Sequence, residues 1–223
     1  MKSERISIPG DGFDVPAIVY SPPQASCAAL IVHGYGGCKE EQLGLAWRIA
    51  ETGITTCAVD LRGHGEHALP LDARVGLDVT SAIRYCRSFG RVIAVGHSLG
   101  GRLVLLSDAD LVIAVSPALA TSFSAQTVNL IKDLRSYRVR EEVPISELFT
   151  ALPLYKPVKE RPAFFVYGGR DVPEIQEGCG ALQGLGEDVI RIDKGLHADI
   201  FLLEPTIQAI KARIAEWLRS SAP

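Results

Sequence analysis

No stretch of this 223-residue chain stays apolar for the ~20 residues that a membrane-spanning helix needs; Gly, Pro or charge breaks each candidate run within ten positions. That excludes a transmembrane role. An excess of charge of one sign is missing as well. Lys+Arg number 23 against Asp+Glu 26, interleaved along the chain, for a formal net charge of -3. Such a chain carries no basic footprint for a polyphosphate, so nucleic acid is not an expected partner. Cysteine is sparse: Cys27, Cys38, Cys57, Cys86 and Cys179 are odd in number and form no C-x-x-C pair. This speaks against a disulfide framework or a zinc site and for reduced, mostly buried thiols. Neither an H-x-x-x-H pattern nor a carboxylate cluster with ligand spacing occurs, and no metal is expected. Behind Met1-Lys2-Ser3-Glu4-Arg5-Ile6 no apolar stretch of signal-peptide length follows, so the expected location is cytoplasmic. Repeats, low-complexity tracts and Ser/Gly linkers are absent too. With 47% hydrophobic and 22% charged residues, the chain reads as one globular domain spanning residues 1–223.

What is present is an alternation. The runs Ala28–His33, Thr55–Asp60, Arg91–Gly96, Leu111–Ser116, Ala163–Gly168 and Asp188–Asp193 are mostly continuous apolar stretches of strand length. Continuous apolarity predicts strands buried on both faces, as in a parallel sheet covered by helices. Between them, Val75, Val79, Ala82, Ile83 and Cys86 share one helical face, as do Leu203, Ile207, Ile210, Ile214 and Trp217. Arg5–Ile8 and Val15–Tyr20 flank Pro9-Gly10-Asp11-Gly12, which predicts an antiparallel hairpin on the sheet's edge. The fold class is therefore α/β: a mostly parallel sheet with an N-terminal antiparallel hairpin and helices on both faces. Residues 117–161 interrupt the rhythm and are expected to form a small cap insertion, helical around Val128–Arg138. Removing residues 118–158 is expected to leave the sheet foldable.

The sharpest local signal is Gly96-His97-Ser98-Leu99-Gly100, a G-x-S-x-G that follows the strand Val92-Ile93-Ala94-Val95 and opens the helical run Arg102–Ser107. Such a turn holds its serine in a strained strand-to-helix corner, and side chains at the flanking glycines would collide with the neighbouring strand and helix. His97 is expected to point away, leaving Ser98 alone presented.

On this motif and its flanks the chain resembles the α/β-hydrolase family over nearly its whole length. The resemblance implies an oxyanion-binding loop after the third strand, matched by His33-Gly34-Tyr35-Gly36-Gly37, with the Tyr35 and Leu99 N–H groups as donors. His33 is expected to hold that loop by hydrogen bonds to backbone. The acid is expected past a strand's C-terminal end. Leu111–Val115 leads only to Ser116-Pro117-Ala118, and Asp108 and Asp110 precede that strand, whereas Phe164–Tyr167 leads to Gly168-Gly169-Arg170-Asp171. Asp171 is the expected acid, with helix capping ahead of Pro173 as its other use. The base is expected after the last strand, where Lys194-Gly195-Leu196-His197 supplies His197. The order Ser98, Asp171, His197 is the order of this fold. His64 and His67, in and after Asp60-Leu61-Arg62-Gly63-His64-Gly65, are expected to shape the site without titrating.

The reading is a serine hydrolase of the carboxylesterase type. It would cleave a small to medium ester, or a thioester, through an acyl-Ser98 intermediate without a cofactor. Tyr35, Leu99, Leu119, Phe123, Phe149, Leu152 and Leu154 are the apolar candidates for the mouth. The cap charges Lys132, Asp133, Arg135, Arg138, Arg140, Glu141 and Glu142 are expected to be a solvated face. Arg102 and Arg170 pair with carboxylates in the fold or meet an anionic substrate. The chain departs from the dienelactone-hydrolase type, which has Cys where Ser98 stands. It departs too from lipases with a His-Gly-Gly-Gly loop, since Tyr35 takes the third place. C–C bond hydrolysis, cofactor-free perhydrolysis and a catalytically silent ligand receptor are the alternatives. The expected partner is a small-molecule ester, and oligomeric state does not follow from the sequence.

Overall fold

The computed structural model describes residues 1–220. Its strands are β1 (Lys2–Pro9), β2 (Asp14–Ser21), β3 (Cys27–Val32), β4 (Thr55–Val59), β5 (Arg91–His97), β6 (Leu111–Val115), β7 (Ala163–Arg170) and β8 (Asp188–Leu196). The helices are α1 (Leu43–Ala50), α2 (Gly76–Cys86), α3 (Leu99–Leu105), α4 (Ala125–Arg135), α5 (Ile145–Ala151), α6 (Pro173–Gly184) and α7 (Glu204–Ser220). The strands form one sheet in the order β1-β2-β4-β3-β5-β6-β7-β8. β1 and β2 pair antiparallel, β2 joins β4 antiparallel, and the remaining pairs are parallel. The hairpin sits at the edge, as its turn chemistry predicts.

Successive residues of a buried strand feed opposite layers. Ala28, Leu30 and Val32 of β3 face the cluster under α2, α3 and α5, whereas Ala29 and Ile31 face the cluster under α1 and α7. The helical stripes Val79, Ala82, Ile83, Cys86 and Ile207, Ile210, Ile214, Trp217 close the two layers. β8 corrects the expectation of burial on both faces. As the outer strand it leaves Ile190, Arg191 and Asp193 exposed.

Two strands run further than their apolar stretches suggest. β7 and β8 resume pairing beyond an irregularity at Gly168/Arg170, so that Arg170 faces Leu196. The next residue on each strand is then Asp171 on one and His197 on the other, and the two leave the sheet side by side. On the neighbouring pair His97 faces Val115, which places Ser98 beside Ser116.

The segment 117–161 carries α4 and α5, and it is not an independent cover. Ile145, Leu148, Phe149 and Leu152 belong to the main core cluster. Arg102 of α3, fully buried, donates to the carbonyls of Ala118 (3.4 Å), Ala120 (2.8 Å), Leu152 (2.5 Å) and Pro153 (3.2 Å), tying both limbs of the segment to the sheet. This overturns both readings of Arg102: it meets neither a carboxylate nor open solvent, and burial lowers its pKa. Arg170 is exposed. Burying each of those apolar side chains is worth about 1.5–3 kcal/mol, and four of them approach a typical net stability of ~5–15 kcal/mol. Deleting residues 118–158 is therefore expected to abolish the cooperative thermal transition in circular dichroism. A deletion variant that melts cooperatively near the parent Tm would show the segment to be dispensable.

Candidate active site

The turn at Ser98 is forced by its neighbours. Ser98 takes φ 55 and ψ -114, a conformation that costs a non-glycine residue about 1–3 kcal/mol. A Cβ at Gly96 would lie 2.2 Å from the Gly100 carbonyl oxygen, and one at Gly100 2.5 Å from the His33 carbonyl oxygen. Only glycine fits at either place. The strain is held by Ser98 N–H donating to the Val115 carbonyl (3.0 Å) and by its own carbonyl accepting from Arg102 and Ala118 N–H (both 3.1 Å).

The structure brings Ser98, Asp171 and His197 together. Ser98 Oγ lies 3.0 Å from His197 Nε2, and His197 Nδ1 lies 2.8 Å from Asp171 Oδ1. A carboxylate can only accept, so the proton of neutral His197 sits on Nδ1, and Nε2 is left to accept from the Ser98 hydroxyl. Asp171 is buried, which by itself would raise its pKa. The hydrogen bond and charge of His197, the Ser116 hydroxyl and the Val172 N–H outweigh burial and hold the carboxyl below its usual range. Val172 N–H donates to Asp171 Oδ1 at 2.9 Å, but Val172 itself is the cap residue of α6 and no side chain caps that helix, so the capping use of Asp171 is not what the structure shows.

Ser116 escaped the sequence reading. Its hydroxyl donates to Asp171 Oδ2, from a fully buried position held at φ 46. A serine before proline carries no signal of a left-handed backbone, so only the fold reveals it. His97 is a correction. Its ring does not turn away but lies 5.0 Å from the His197 ring and 4.8 Å from Phe201. Burial pushes its pKa down to about 3, and its neutral Nε2–H donates to the His197 carbonyl at 2.8 Å, fixing the backbone that carries the imidazole.

Tyr35 follows Gly34, where a Cβ would come 2.9 Å from Ser98 Cβ, so this loop packs directly on the serine turn. Leu99 begins α3, and its N–H has no acceptor within the helix. His33 holds the loop through Nδ1–H to the Gly34 carbonyl (2.7 Å) and by accepting Leu61 N–H at Nε2 (3.1 Å), buried and with its pKa lowered to about 4. His64 donates to the Arg62 carbonyl, its pKa pushed by burial to about 3, and packs on the His33 and Tyr35 rings of the loop, whereas His67 accepts from Leu69 N–H and lies against Phe13.

A cavity of about 150 Å³ opens over Ser98 and His197. Of the apolar candidates, Tyr35, Phe123 and Phe149 line it. Leu99 and Leu152 are buried in the core instead, Leu119 packs against it, and Leu154 is exposed. Further apolar wall comes from α4, through Leu130, Ile131 and Leu134, and from Val172 and Ile175. The cap charges are not simply solvated. Arg138 pairs with Glu41 (2.5 Å), Glu141 accepts from the Tyr35 hydroxyl (2.5 Å), Arg140 donates to the His67 carbonyl, and Arg135 lines the cavity. Lys132 and Asp133 are exposed.

The pattern of the Alpha/beta hydrolase family matches residues 29–206, from the third strand into the last helix. The chain belongs to that family. Among solved structures, this hydrolase is similar to a ferulic acid complex of Est1E from Butyrivibrio proteoclasticus. The TM-score is 0.77 at 19% identity, over 96% of this chain and 99% of that one. It is similar also to a hyperthermophilic esterase from the archaeon Pyrobaculum calidifontis (TM-score 0.71, 22% identity, 96% and 84% covered). An esterase from Pyrococcus furiosus matches with TM-score 0.74 at 17% identity, 98% and 91% covered. At these identities the likeness is one of fold. Among the described residues, no helix of this family member is long and apolar enough to cross a membrane, and no cluster of metal-ligating side chains occurs.

Proposed function

We propose that this α/β hydrolase is a serine esterase, cleaving a small to medium carboxylic ester or thioester through an acyl-Ser98 intermediate. The observation that carries the reading is the continuous chain Ser98 Oγ, His197 Nε2, His197 Nδ1, Asp171 Oδ1, with links of 3.0 and 2.8 Å, opening into a cavity. His197 takes the hydroxyl proton as Ser98 Oγ attacks the ester carbonyl carbon. Tyr35 and Leu99 N–H receive the developing oxyanion, Asp171 stabilises the imidazolium, and His197 returns the proton to the leaving alcohol. Water, activated by the same imidazole, then releases the acid and restores Ser98. The esterases among similar folds and the mostly apolar cavity wall support an ester with an apolar arm.

The test is labelling of the purified protein with a fluorophosphonate probe, alongside a Ser98→Ala control. Stoichiometric labelling of the parent alone, together with turnover of p-nitrophenyl butyrate, is expected. A folded protein that takes up no probe would overturn the proposal in favour of a silent receptor. Labelling without turnover of any ester would turn it toward the family's other chemistries.

A further inference from the structure

Gln42 is an anomaly of this site. It ends a short 3-10 turn, Lys39–Gln42, after β3, is 1% exposed, and lines the cavity that holds Ser98 and His197. Its Oε1 is buried and has no hydrogen-bond partner among the described residues. Native interiors seldom leave such an atom orphaned, because it forfeits its bonds to water without replacement. A mobile turn does not account for it. Lys39 Nζ is buried against Asp60 Oδ2 (2.6 Å), Lys39 N–H donates to Asp60 Oδ1 (2.8 Å), and Glu41 is paired with Arg138 (2.5 Å). The turn that carries Gln42 is thus held in place on both sides while Gln42 Oε1 remains without a partner, so the residue is presented from a fixed backbone.

The sheet order shows which part of a ligand it meets. The turn follows β3, Ser98 follows β5, and the apolar wall of Val172 and Ile175 follows β7, so polar and apolar ends of the cavity flank the serine. We infer that Gln42 is a specificity-determining residue whose carboxamide oxygen accepts a hydrogen bond from a hydroxyl on one arm of the ester, the other arm being apolar. A hydroxyl fits because it donates to Oε1 and can accept in return from the amide N–H. The inference rests on the esterase reading and names the substrate class within it: hydroxylated esters over their deoxy counterparts.

The experiment compares matched pairs, with the hydroxyl on the acyl arm in one set (ethyl 3-hydroxybutyrate against ethyl butyrate, ethyl 6-hydroxyhexanoate against ethyl hexanoate). In the other set it is on the alcohol arm (4-hydroxybutyl against butyl acetate, 6-hydroxyhexyl against hexyl acetate). The parent enzyme is expected to favour the hydroxylated ester about tenfold in kcat/KM in one of the sets. In Gln42→Met, which keeps the length and loses the acceptor, the ratio of kcat/KM between the two members of that pair is expected to fall to about one. Gln42→Leu serves as the second variant should the first misfold, and fluorophosphonate labelling rates report an intact serine in each. Equal rates for every pair in the parent, or a preference that persists in the folded variants, overturns the assignment while leaving the esterase standing. Absence of labelling in the parent overturns both.

Discussion

Ser98→Ala is expected to lower kcat by about 10⁶-fold, to the residual level that binding and oxyanion donors alone provide. The magnitude follows from the division of labour at the site. Among the described residues, the Ser98 hydroxyl is the only nucleophile within hydrogen-bond reach of His197 Nε2, at 3.0 Å. Removing Oγ therefore removes both the bond-forming atom and the proton that the imidazole is placed to take. Alanine adds no bulk, although the backbone remains at φ 55, so any strain the turn stores is unchanged and stability should move little. The pairing of parent and variant in steady-state kinetics on p-nitrophenyl butyrate, with circular dichroism for the fold, decides the matter. A variant that keeps more than a hundredth of parental kcat would mean that water attacks directly, with the serine as a bystander.

Asp171→Asn is the second large effect, a loss of about 10³–10⁴ in kcat. Asp171 Oδ1 accepts from His197 Nδ1 and Val172 N–H, and Oδ2 accepts from Ser116. An asparagine has one oxygen for donors on both sides. Turned with its oxygen to Ser116, it offers an N–H to the imidazole and forces the proton to Nε2, where it blocks acceptance from Ser98. Turned the other way, it keeps the tautomer but has no charge to stabilise the imidazolium. Either way the step that charges His197 becomes harder, so kcat should fall while KM changes little. A loss below tenfold would assign the acid elsewhere. Asp193 and Asp199 are the nearby candidates, although Asp193 is an exposed partner of Arg191, and Asp199 Oδ1 is taken by Leu196 N–H.

Much of this site could be located without coordinates. G-x-S-x-G is legible because sterics at Gly96 and Gly100 act within a few residues, so the constraint is written locally. Asp171 and His197 are reached through the family resemblance, which asks for a carboxylate past a strand's C-terminal end and an imidazole after the last strand; rarity does not single them out, since His33 and Asp60 follow apolar runs more directly. The same logic misjudged His97, since its role depends on the His197 carbonyl a hundred positions away. It did not show how far α5 of the segment 117–161 enters the core. The burial of Ile145, Leu148 and Leu152 depends on a neighbouring layer, and a buried arginine binding only carbonyls has no sequence signature.

The sequence alone determined the alternation of strands and helices, the serine turn and the order of the three polar groups, because periodicity and glycine sterics operate over short spans. The tertiary structure decided which polar atoms meet and which stay unmatched. It set the resumed pairing of Arg170 with Leu196 that delivers Asp171 beside His197, the Ser116 hydroxyl on that carboxylate, the wall that α4 gives the cavity, and the orphaned Gln42 Oε1. Patterning specifies only which face of an element is buried. Hydrogen bonds form over about 3 Å between groups from distant parts of the chain, and only packing brings them to that distance.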